Sequence, residues 1–127
     1  MNPNRIDQAD VSKPFLNDAQ LAEDLQQNRL REKETLDHFA IDSVASMDAL
    51  TVALNEGRKD SALKEIETLI QLSRNIHADT LEITIESLQL AVLNDEATEA
   101  VRAIIAKTLT AYQGTLALVK ERQTSLT

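Results

Sequence analysis

Between Asn17 and Glu56 the chain contains neither glycine nor proline, and no proline follows Pro14. A sheet needs such residues at its corners, because glycine takes positive φ at no steric cost and proline presets the turn angle. A stretch this long without them favours extended helices joined by few corners. Aromatic residues are only 2% of the chain, which withholds another group that packs well in strands. Hydrophobic residues make up 43% of 127, enough for one core in one domain. The fold class expected is therefore all-α.

Capping and spacing signals place the helices. Residues 1–15 are polar and bounded by Pro3 and Pro14, and read as a flexible N-terminal leader; residues 16–123 read as a single helical bundle domain. Asn17 as cap, Gln20 at the capping-box position and the Leu16/Leu21 pair predict a short first helix near 18–28. The polar stretch Gln26 to Lys33 marks a break before a second helix near 31–56. Its apolar residues Leu36, Phe39, Val44, Met47, Leu50 and Leu54 hold helical spacing only in pieces. Asn55-Glu56-Gly57 ends that helix, with Gly57 suited to the left-handed position after it. Asp60 is a candidate cap for the third helix, which carries Leu63, Ile66, Leu69, Ile70, Ser73 and Ile76. Asp79 with Glu82 forms a D-x-x-E capping pair for a fourth helix from Asp79 to about Leu93. The third and fourth could also form one continuous rod. Asn94-Asp95 is the expected cap of a fifth helix bearing Val101, Ile104, Ile105, Thr108, Leu109, Tyr112, Leu116 and Val119. Gly114 inside it costs about 1 kcal/mol relative to alanine, which a helix this long tolerates. Short connections make sequential helices antiparallel neighbours. The expectation is an antiparallel four-helix bundle with an additional short N-terminal helix.

Charge and composition exclude several functions. A net charge of −8 repels nucleic-acid phosphates and anionic membrane surfaces, so neither is an expected partner. With no cysteine, there is no disulfide framework and no thiolate metal site. No apolar run approaches the roughly 20 residues that span a bilayer. Met1 to Lys13 lacks the apolar stretch of a signal peptide, so the expected location is cytoplasmic.

The segment Ile66-Glu67-Thr68-Leu69-Ile70-Gln71-Leu72-Ser73-Arg74-Asn75-Ile76-His77-Ala78-Asp79-Thr80-Leu81 carries the most specific signal. It resembles the central helix of histidine-containing phosphotransfer (HPt) domains, whose pattern is A-H-x-L-K-G-S-x-x-x-I-G-A-x-x-L. Leu69, Ile76, Ala78 and Leu81 match its scaffold, and Ser73 stands one place off its serine. Leu36 to Gly57 resembles the preceding helix, with its L-x-x-F and A-L elements. Leu81, Ile85, Leu88 and Gln89 resemble the following L-x-x-x-C-x-x-L-E helix, with Gln89 where that family has Glu. The likeness covers roughly residues 35–120 and implies the HPt bundle.

The chemical positions differ. Glu67 stands at the place of the phosphorylated histidine, Ile70 at that of the lysine, and Gln71 and His77 at the glycines. Phosphotransfer needs an exposed imidazole as nucleophile, and a carboxylate cannot form the stable phosphoramidate. No catalytic residue, no cofactor and no metal site is expected. His77 is the alternative phosphoacceptor to weigh, but no cation adjoins it in the sequence, and the plainer reading is a histidine at a helix end. His38 reads as an ordinary helix residue, and acidic pairs such as Glu82/Glu86 as chance on acidic helices.

What remains is a surface. Lys64, Glu67, Ile70, Gln71 and Arg74 recur at helical spacing and line one stripe. In HPt domains the equivalent stripe docks a receiver domain, so the resemblance implies a non-catalytic binder of a receiver domain or sensor kinase that modulates a two-component phosphorelay. Ile70 is either an apolar contact residue on that stripe or simply an extension of the buried face. A second reading, of another class, is a small acidic helical chaperone or oligomeric scaffold that covers an amphipathic stripe with a helical client.

Overall fold

The computed structural model describes residues 29–126, and among them every regular element is a helix. The elements are α1 (Arg29–Asn55), α2 (Lys59–Asn75), α3 (Asp79–Leu93) and α4 (Thr98–Leu126). The short helix expected near 18–28 and the leader at 1–15 lie outside the described residues. α1 packs on α2, α2 on α3, α3 on α4, and α4 closes the ring on α1. Short connections reverse the chain each time, so every neighbour is antiparallel.

All three corners share one backbone solution. Gly57, His77 and Asp95 have φ of 69°, 57° and 51°. At each, the next residue's N–H reaches back across the helix end: Arg58 to Ala53 O (2.8 Å), Ala78 to Ser73 O (2.9 Å) and Glu96 to Ala91 O (3.0 Å). The positive-φ residue itself donates to Leu54, Arg74 or Val92 O, respectively. This is the Schellman closure, which satisfies carbonyls that a helix end otherwise strands.

That closure places the expected break between the two middle helices and corrects the expected caps. α2 and α3 are separate helices, broken at Ile76-His77-Ala78. Arg58 and Ala78 occupy the N-cap positions of α2 and α3, without side-chain caps. Asp60, and Asp79 with Glu82, therefore lie inside first turns, where their charge complements the helix dipole instead of capping. Asn94 and Asp95 terminate α3, and α4 begins beyond them at Thr98. The expected cap of the last helix is thus the stop of the one before.

α1 and α4, at 27 and 29 residues, are much longer than α2 and α3 at 17 and 15. At 1.5 Å per residue the long pair runs about 40 Å and the short pair about 24 Å. The start of α1 is therefore tied to the end of α4 by direct bonds. Arg122 Nε and Nη2 grip the buried Glu32 carboxylate at 2.6 and 3.1 Å. Gln123 Nε2 donates to Asp37 at 2.6 Å, and Lys33 Nζ does so at 2.9 Å. Those two bonds, Lys33 first, hold the Asp37 carboxyl below its ordinary pKa.

The core explains why the α1 pattern looked fragmentary. Leu36, Phe39, Met47, Leu50 and Ala53 face inward, but two inward places are taken by Ser43 and Ser46. Ser43 Oγ and the Tyr112 hydroxyl lie 2.9 Å apart inside the bundle. Burial pushes the Tyr112 phenol pKa up, while the Ser43 bond opposes the rise. Other buried hydroxyls, on Ser73, Thr108 and Thr115, donate to the carbonyl four residues back at 2.8 Å. No buried side-chain polar atom among the described residues lacks a partner, so hydrogen bonds offset the desolvation of the polar core.

Candidate functional site

The stripe expected on the third helix lies on α2, and the structure splits it. Lys64, Glu67, Gln71 and Arg74 are exposed. Ile70 is only 4% exposed and belongs to the core, between Ile66 and Ser73 on the inner face. Its expected place on the contact surface is therefore corrected: it widens the buried face. A side chain one helical step from the flank can point either way, and the packing of the bundle turns this one inward.

The four polar residues lie along the α3 side of α2, and α3 supplies partners that sequence spacing did not reveal. Arg74 Nε donates to Glu82 Oε2 at 2.6 Å, and its Nη2 lies 3.5 Å from Glu86 Oε2. The hydrogen bond to Glu82, then its charge, raises the Arg74 pKa above an already high value, so the guanidinium is permanently charged. Glu82 and Glu86, one turn apart, thus clamp an arginine. Gln89 Nε2 donates to Glu67 Oε1 at 3.1 Å. A glutamate at position 89 would instead set one carboxylate against another. Lys64 makes no ion pair among the described residues, and its ammonium stands free at one end of the stripe.

The surface is thus a row of alternating charge, fixed at the Arg74 end and open at the Lys64 end. Such a row offers hydrogen bonds and point charges, with no imidazole along it. His77 is half-buried at the α2–α3 corner, where its backbone takes the positive φ that closes α2. His38 pairs with Asp42 at 3.0 Å on the exposed side of α1. Among the described residues no group of three or more His, Asp or Glu is placed to hold a metal ion. No helix among them is long and apolar enough to cross a membrane. Comparison with family models, characterised proteins and solved structures finds no match for the chain.

Proposed function

We propose that this chain is a non-catalytic, HPt-like protein-binding module that docks a receiver domain or sensor kinase and modulates a phosphorelay by occupancy. The observation that carries the reading is the Glu67–Gln89 pair. Both residues depart from the HPt pattern, at the places of its histidine and its glutamate, and the two departures are chemically matched. Glu67 accepts from the Gln89 amide, so an acidic side chain at the phosphoacceptor place is accommodated rather than merely tolerated. The exposed carboxylate then presents a fixed negative charge on α2 where the relay protein would present a phosphorylated imidazole. Lys64 and Gln71 flank it and remain available to a partner, and Arg74 is held in place by Glu82 and Glu86.

The test is an NMR titration of the labelled full chain with receiver domains from its own host, with and without a phosphoryl-aspartate mimic. Shift changes clustered on Lys64, Glu67, Gln71 and Arg74 are expected, and they should vanish in Lys64→Glu with helicity unchanged. If no receiver perturbs the stripe, the reading fails. Ile70→Asp is unsuitable as a surface probe, because that side chain is buried.

A further inference from the structure

α1 meets α2 at the corner between Asn55 and Lys59, and α4 meets α3 at the corner between Leu93 and Thr98. The extra length of the long pair, about 15 Å or ten residues, therefore falls at the start of α1 and the end of α4. In that projecting part the two helices are joined through polar side chains. Glu32 is only 2% exposed, although it lies in the first turn of α1. Arg122 Nε and Nη2 hold its two carboxylate oxygens at 2.6 and 3.1 Å. Asp37 receives Gln123 Nε2 at 2.6 Å on one oxygen and Lys33 Nζ at 2.9 Å on the other. Arg29 Nη2 adds a longer contact to Ser125 O at 3.5 Å. These bonds between the helices join residues 86 to 96 apart in sequence. Deeper in the bundle the contact changes character, to the two neutral hydroxyls of Ser43 and Tyr112.

A free helix end frays one residue at a time, because its last turn lacks half of its backbone partners. Here neither end can fray alone. Glu32 cannot leave the helical frame of α1 without stripping Arg122, and a charge left unpaired at a buried site costs far more than a frayed turn. Gln123 and Asp37 impose the same condition through a second, charge-assisted bond. We propose that the two helix ends form one latch, which opens and closes as a single unit apart from the bundle core. Opening wets Leu36 and Val119, both 0% exposed, which lie four residues after Glu32 and three before Arg122. The protein then has a second state, still bundled around Ser43 and Tyr112 but apolar at one end. Neither the α2 stripe nor a receiver domain enters this inference.

Hydrogen exchange of the folded full chain, followed by NMR in sub-denaturing urea, tests the latch. The amides of Leu36 and Asp37 on α1 and of Thr124 and Ser125 on α4 should share one opening equilibrium. Its urea dependence should be weaker than that of the Leu69 and Ile85 amides, because a local opening wets less surface than global unfolding. Gln123→Ala should speed exchange at Leu36 at least about tenfold, across the gap between the helices, through loss of one bond to a charged group. Glu32→Gln should do the same at Thr124. Gln123→Ala leaves the buried pair in place, so it keeps the test open if Glu32→Gln fails to fold. Acceleration confined to the substituted helix would mean two independently fraying ends and would overturn the proposal. So would latch amides that match Leu69 and Ile85 in rate and urea dependence, and so would exchange that neither variant changes.

Discussion

Replacing Gly57 by alanine and His77 by glycine should move stability in opposite directions, because the two residues hold the same backbone conformation with opposite fitness for it. Gly57 sits at φ 69° and His77 at φ 57°. The left-handed region costs an L-residue about 1–2 kcal/mol, and glycine nothing. Against this, alanine in place of glycine recovers about 0.4–1 kcal/mol through the smaller entropy of the unfolded chain. A Cβ at Gly57 meets nothing within 4 Å, so no clash adds to the balance. Gly57→Ala should therefore destabilise by about 1 kcal/mol. His77→Gly should stabilise by about 0.5 kcal/mol, somewhat less because histidine visits this region more readily than most residues. The corners lie at opposite ends of α2, about 26 Å apart at 1.5 Å per residue. The double variant should therefore be additive to within about 0.5 kcal/mol. Urea unfolding of the full chain measures this, with midpoints shifting and slopes unchanged. A His77→Gly variant less stable than the parent would refute the reasoning. It would mean that the imidazole contributes more to the fold than its backbone strain removes. Confirmation would account for His77 as a helix terminator.

Two further outcomes follow from burial. Ile70→Asp should cost about 4 kcal/mol or more, since it removes a core side chain and buries a carboxylate. Gln71→Ala, on the exposed stripe next to it, should stay within about 0.5 kcal/mol by the same urea measurement. The raised Tyr112 pKa means that the folded state holds its phenol proton more tightly than the unfolded chain. Its contribution is therefore complete below the ordinary value of 10.0 and is lost as pH rises through and beyond it. Thermal unfolding followed between about pH 9 and about pH 11 should show that loss, and Tyr112→Phe should flatten it while costing about 1 kcal/mol near neutrality for the Ser43 hydrogen bond.

Several features were legible because they are local. Gly57 announces its left-handed corner by residue type, and Leu93 marks a helix end through the polar residues that follow it. Asn94 and Asp95 were legible as helix punctuation but not as to which helix they serve, because both residue types suit N-caps and left-handed stops alike. The site was less legible. Lys64, Glu67, Gln71 and Arg74 share a stripe by spacing alone, yet Gln89, Glu82 and Glu86, which give that stripe its electrostatics, arrive from another helix. Gln89 was visible in the sequence; its bond to Glu67 was not.

By itself the sequence determined that the chain builds long helices, where its glycine-marked corner falls, and that a carboxylate, Glu67, stands in the middle of the exposed stripe of α2. These properties depend on propensity and residue identity, which act within a few residues along the chain. Only the tertiary structure decided that Ile70 turns inward, that Ser43 and Ser46 take core places while Val44 stays outside, and that the α1–α4 seam is left partly open. Those outcomes depend on which neighbour each helix face meets. A helix of given periodicity can bury any of several adjoining faces, and the packing of the other helices selects one.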